Sequence, residues 1–136
     1  MQPNFAGVYP AITTKFTADG QLDLPLFMHN LQAQVNAGVD GVVIAGTLGE
    51  ASTITESEKE LLVKETLTAF GSKIPVLLNI AEGSTAEAVR QAKLAEQWGA
   101  NGLMLLPPMR YKSDDRETIF HFEQVAKHTQ LPILIY

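Results

Sequence analysis

The 136 residues carry ten lysines and arginines against fifteen aspartates and glutamates, for a formal net charge of −5, and they contain no cysteine. With 46% hydrophobic and 18% charged residues, this is the make-up of one globular unit with enough apolar material for a core. The missing basic runs argue against nucleic acid and anionic membranes, and the missing thiols exclude disulfides, thiol nucleophiles and cysteine-held metal. No apolar run reaches the length of a membrane span, and residues 1–4 lack the charged-then-apolar start of a secretory signal, so a cytoplasmic protein is expected.

Residues 8–13 read as a short first strand, weakened by Pro10. A loop with an Asp19-Gly20 turn follows. Asp23 then opens a first helix with Pro25 in its first turn, an apolar stripe of Leu26, Phe27, Leu31, Val35 and Val39, and Gly38 as its stop. The stretch Gly41-Val42-Val43-Ile44-Ala45-Gly46-Thr47-Leu48-Gly49-Glu50 reads as a buried second strand running into a glycine turn. Such a turn leaves backbone N–H groups free, and with the Thr47 hydroxyl these could hold a small carboxylate. Equally, Gly46 and Gly49 could serve only a tight strand-to-helix connection.

Thr55 and Glu58 have capping-box spacing and begin a second helix bearing Leu61, Leu62, Glu65 and Leu67, which stops near Gly71. A third strand covers 75–80. Ser84 and Glu87 repeat the capping spacing ahead of a third helix that runs through Ala88, Leu94 and Ala95 to Gly99. A fourth strand over 102–106 is halted by Pro107-Pro108, a fourth helix spans about 114–128, and a fifth apolar run occupies 132–136. An internal echo reinforces this order: residues 37–42 resemble 98–103, and Ile74-Pro75-Val76-Leu77 resembles Leu131-Pro132-Ile133-Leu134. Continuous apolar strands alternating with helices predict a parallel α/β sheet with right-handed crossovers. A closed eightfold barrel needs about 250 residues. The expectation is therefore that residues 1–136 form the N-terminal part of a single (β/α)8 TIM barrel, its first five strands and four helices.

With Gly46-Thr47-Leu48-Gly49-Glu50 and the terminal Leu131-Pro132-Ile133-Leu134-Ile135-Tyr136 as anchors, the sequence resembles the dihydrodipicolinate synthase and N-acetylneuraminate lyase family along essentially its whole length. Residues 37–41 and 84–88 fit the resemblance as well. It implies a lyase that acts on pyruvate-type 2-oxo acids through a lysine Schiff base, without cofactor or metal, commonly as a homotetramer or dimer. Tyr136 matches the family tyrosine that relays protons, and Thr47 the hydroxyl residue that bonds it and lies near the keto acid carboxylate. The threonine is expected at the next barrel mouth to the tyrosine. Gly46, Thr47 and Leu48 would bind that carboxylate. Leu48 stands where the family has a second hydroxyl residue, and Asn79-Ile80-Ala81 where many members have a glycine–threonine–glycine turn. Arg110 stands where synthases carry a second tyrosine, and either anchors a carboxylate or makes a subunit contact. These departures favour an aldolase, dehydratase or deaminase over a true 4-hydroxy-tetrahydrodipicolinate synthase of lysine biosynthesis.

The family's imine-forming lysine lies on the strand after the tyrosine. Of the seven lysines here, only Lys15 follows a strand at the mouth. A non-catalytic half-barrel assembly module is the rival reading. A metal-dependent aldolase is disfavoured, because His29, His121 and His128 fall on helices away from any ligand grouping, and Asp114, Asp115 and Glu117 suit a helix start. Glu50 reads as a loop brace, and Trp98, Met104, Met109 and Phe122 as core or interface residues.

Overall fold

A computed structural model describes all residues, 1–136. Four helices alternate with four strands: α1 Leu24–Asn36, β1 Val42–Ile44, α2 Glu56–Phe70, β2 Val76–Ile80, α3 Thr85–Trp98, β3 Gly102–Leu105, α4 Asp115–Lys127 and β4 Ile133–Ile135. All strand pairs are parallel, in the sequential order β1-β2-β3-β4. Each βα unit therefore adds its strand beside the one before it. No helix is long and apolar enough to cross a membrane.

The helix starts follow the local chemistry. Asp23 accepts the Leu26 N–H at 2.9 Å. Thr55 and Glu58 complete a reciprocal capping box at α2, and Asp114 and Glu117 another at α4. At α3 only half the motif forms. The Ser84 hydroxyl accepts the Glu87 N–H, while the Glu87 carboxylate turns to Arg90 and Gln91. Gly99 ends α3 at φ +87°, where a side chain would be strained.

The register separates two faces. Ile44 lies beside Leu78 and Leu78 beside Leu103, and Leu105 lies between Ile80 and Ile135. Apart from Ile135, which is exposed, they join Phe27, Leu31, Leu62, Val63, Ala92 and Val125 from all four helices in one apolar cluster. The helices thus cover one face. Leu77, Asn79 and Met104 turn to the other, as strand alternation requires.

Residues 8–13 form less than the expected first strand. Ala11 makes one isolated parallel bridge to Val43, through the Val43 N–H to Pro10 O and the Ile12 N–H to Val43 O. Pro10 has no N–H to extend the ladder. Two helical stripes hold apart from one residue each: Leu26 and Leu61 are exposed, and α2 buries Lys59, Val63, Thr66 and Phe70 together with the expected Leu62. That set keeps the three- and four-residue spacing of one helix face, with a lysine and a threonine on it. Trp98 is buried and Phe122 packs against the core, whereas Met109 is exposed.

Leu78 is fully enclosed between the sheet and the helices. Leu78→Ala is expected to lower unfolding free energy by about 2–5 kcal/mol. Leu48→Ala, at a side chain 72% exposed, should stay within about 0.5 kcal/mol. Urea unfolding of the two variants of the complete polypeptide checks the contrast.

Candidate active site

Because every strand runs the same way, their C-terminal ends open on one edge of the sheet. The turn after β1, the loops after β2 and β3, and Tyr136 after β4 meet there. The β1 turn is the most constrained of these. Ala45 adopts a left-handed conformation at φ +58°, which costs an L-residue about 1–2 kcal/mol. Thr47–Gly49 form one 3-10 turn, closed by the Gly49 N–H to Gly46 O and the Glu50 N–H to Thr47 O. Glu50 is also left-handed, at φ +59°.

Residues before β1 pin this turn. The buried Thr14 hydroxyl donates to Gly49 O at 2.6 Å. A Cβ on Gly49 would lie 2.8 Å from Ile12 O, so only glycine lets the two backbones approach this closely. The turn is a fixed cradle. Thr47 and Leu48, at the start of the 3-10 turn, have N–H groups with no acceptor inside it, and both residues face solvent. Glu50 accepts from the Thr53 hydroxyl, through its carbonyl at 3.0 Å and its carboxylate at 3.3 Å, which fits the bracing role expected of it.

Tyr136 is 77% exposed at the same edge, and its N–H donates to Leu105 O. The sheet order sets two strands, β2 and β3, between Thr47 and Tyr136, so the pair do not come from adjacent strands. Arg110 is exposed in the loop after β3. Lys15 is half-buried just before α1, and its carbonyl accepts the Asp23 N–H.

Three buried polar groups near this edge have partners that the sequence did not reveal. Lys59 is almost fully buried and pairs with Glu82 at 3.3 Å across a cavity of about 420 Å³ that Asn79, Arg90 and Gln91 also line. Arg90 binds both Glu56 and Glu87, and its guanidinium holds the Glu87 carboxyl below the usual carboxylate range. Lys59 was detectable from its place on the buried spacing of α2. Asn79 is buried on β2, donates through Nδ2 to Ala45 O at 2.9 Å, and leaves its Oδ1 without a partner.

His121 is the third. It is enclosed on α4, its Nδ1 3.1 Å from the Thr85 hydroxyl, beside a second cavity of about 560 Å³ lined also by Lys112, Ser113 and Arg116. Burial lowers its pKa below the ordinary imidazole value, against a smaller upward pull from the Leu106 backbone. No three His, Asp or Glu side chains are grouped to hold a metal ion.

The sequence profile of the "Dihydrodipicolinate synthetase family" matches residues 4–136. The 4-hydroxy-tetrahydrodipicolinate synthase of Acidothermus cellulolyticus is 39% identical over 132 residues, 97% of this chain and 43% of that protein. A probable 2-dehydro-3-deoxy-D-pentonate aldolase of Escherichia coli is 32% identical over 97% of this chain and 44% of its own length. A prophage protein of the dihydrodipicolinic acid synthase family from Escherichia coli K12, solved in complex with pyruvate, superposes with a TM-score of 0.90 at 32% identity, over 98% of this chain and 45% of that one. The chain spans less than half the length of the curated relatives it matches, and its four-stranded sheet corresponds to part of a TIM barrel.

Two outcomes test the site as built. Gly49→Ala is expected to force the turn away from Ile12 and to cost about 1–3 kcal/mol in urea unfolding. For His121 the sign follows from its lowered pKa. The unfolded chain takes up the proton first, so stability is complete above about pH 6.5 and declines as pH falls through the depressed folded value. His121→Gln should flatten the decline in thermal midpoint between pH 7.5 and pH 5.5.

Proposed function

Because the chain belongs to the dihydrodipicolinate synthetase family, we propose that it is the N-terminal part of a single-domain barrel lyase that acts on pyruvate-type 2-oxo acids through a lysine imine. The observation that carries the reading is the rigid β1 turn, with Thr47 and Leu48 N–H groups free, at the same sheet edge as the Tyr136 phenol. Support for the substrate class comes from the pyruvate complex of the similar prophage protein.

In this reading the keto acid carboxylate sits on the turn. The Thr47 and Leu48 N–H groups and the Thr47 hydroxyl donate to it, with Gly46 letting it come close. The amine of a lysine outside these residues adds to the keto carbon. A C–N bond forms, the keto oxygen takes up protons and leaves as water, and an imine remains. Tyr136 moves protons between the amine, the departing oxygen and the reacting carbon. A phenol with pKa near 10 does this at neutral pH only when a hydrogen bond polarises it. Thr47 is the hydroxyl available for that, once the curved sheet closes and brings the ends of β1 and β4 to face each other across the mouth.

The exposed Arg110 would hold a second carboxylate or a neighbouring subunit, in a dimer or tetramer. Leu48, Arg110 and Asn79 depart from the synthase pattern, so we place the reaction among aldolases, dehydratases or deaminases of the family. Similarity to both a synthase and an aldolase is compatible with that placement.

The test is reductive trapping. Pyruvate with borohydride should add a stable mass to one lysine of the complete polypeptide, on the strand that follows Tyr136. Tyr136→Phe is expected to slow turnover about 10²- to 10⁴-fold. Thr47→Val should weaken pyruvate capture about tenfold, the worth of one hydrogen bond to a charged group. If no 2-oxo acid gives an adduct, the imine mechanism fails and a binding or assembly role takes its place.

A further inference from the structure

The β1–β2 ladder ends where Ile44 pairs with Leu78. One residue further on, Ala45 swings into the left-handed region and its carbonyl leaves the line of the ladder. That carbonyl receives the side-chain amide of Asn79, the residue that the next rung would have set opposite it. An Oδ1 in that position would be repelled by the carbonyl oxygen, so the amide nitrogen is the end that points there. Asn79 is 3% exposed, and the bond is enclosed.

We infer that Asn79 is a positioning residue for the carboxylate-holding turn: its amide replaces the lost rung and fixes the Ala45 peptide, which aims the Thr47 and Leu48 N–H groups. The inference rests on the proposed function for its consequence, but not for its geometry. An alanine held left-handed persists only where its surroundings over-determine it. Thr14 grips the far end of the same turn through Gly49 O, and Asn79 grips the near end through Ala45 O. The two bonds come from opposite flanks of β1. With Asn79 removed, Ala45 would relax toward ordinary φ and rotate the following peptides. The unpartnered Oδ1 fits this role. A buried acceptor without a donor is costly, and it persists here because the amide's other end is needed where it is.

Three measurements on the complete polypeptide test this. Amide exchange, read without any keto acid, should quicken at Gly49, Glu50 and Ala51 in Asn79→Ala, since those three N–H groups close the turn. In the same variant the pyruvate concentration for half-maximal borohydride trapping should rise about tenfold. Asn79→Asp separates positioning from packing. Its carboxylate cannot donate to Ala45 O, but its protonated form can. Its deficit in pyruvate capture, relative to wild type at each pH, should therefore shrink as pH falls, while that of Asn79→Ala should not.

Unchanged exchange and unchanged capture in Asn79→Ala would overturn the inference. So would an Asp variant with the same deficit at every pH, and that comparison decides the matter if the alanine variant does not fold. If wild-type protein captures no 2-oxo acid, the functional reading falls while the exchange measurement still decides the role of Asn79.

Discussion

Strand polarity is the constraint on which the rest of this structure depends. Four strands of three to five residues run one way, each beside the next in chain order. Parallel neighbours require a crossover, and crossovers of one hand put every helix on the same face. The single apolar cluster that joins all four helices to one set of strand positions is the consequence. An order without reversal gives the sheet no switch point at which helices could change sides, so it curls toward a barrel instead of opening into a doubly wound sheet. Polarity also decides where chemistry can occur, because the loops after every strand are delivered to a single edge.

On that edge the chain concentrates its local strain and its buried polarity. The two left-handed non-glycine residues nearest the site, Ala45 and Glu50, bracket the β1 turn. Lys59 in the first turn of α2, Asn79 near the end of β2 and Gln91 midway along α3 are buried where an ordinary core would hold apolar side chains. Deeper in the sheet Val42, Ile44, Val76, Leu78, Leu103 and Leu105 belong to one apolar cluster, and Thr66 on the buried face of α2 is a further buried polar residue. Stability is thus built in the layer between sheet and helices, while Thr14, Lys59 and Asn79 bring buried polarity to the edge where the loops meet.

How far the sequence revealed this depended on the range of the interaction that decided each feature. Helix starts depend on residues three apart, and Asp23, Thr55 and Ser84 were all readable. Strands buried on both faces announce themselves as apolar runs, and β1 to β4 were found within a residue or two. The limits of the buried faces of α1 and α2 were less visible. Leu26 and Leu61 look like core by hydrophobicity, but they stand outside the face on which the expected Phe27 and Leu62 are buried. His121 and Lys59 occupy buried helix positions whose partners, Thr85 and Glu82, stand more than twenty residues away. No local pattern carries such a pairing. Asn79 is the sharpest example, since its partner is a backbone carbonyl, which no side-chain motif records.

The exposed end of the sheet completes the physical picture. Ile135 on β4 and Tyr136 just after it are mostly open to solvent, and β4 pairs with β3 alone. An unpaired parallel edge with an apolar side chain invites pairing. In solved relatives more than twice as long, the matched portion is under half of the chain. On the proposed reading, whatever pairs with β4 would do two things at once. It would cover Ile135, and it would carry curvature onward until the phenol of Tyr136 faces the Thr47 turn across the mouth. Burying that edge and polarising the phenol are then one event, so a polypeptide in which β4 stayed unpaired would have the cradle for a carboxylate and no means of moving a proton to it.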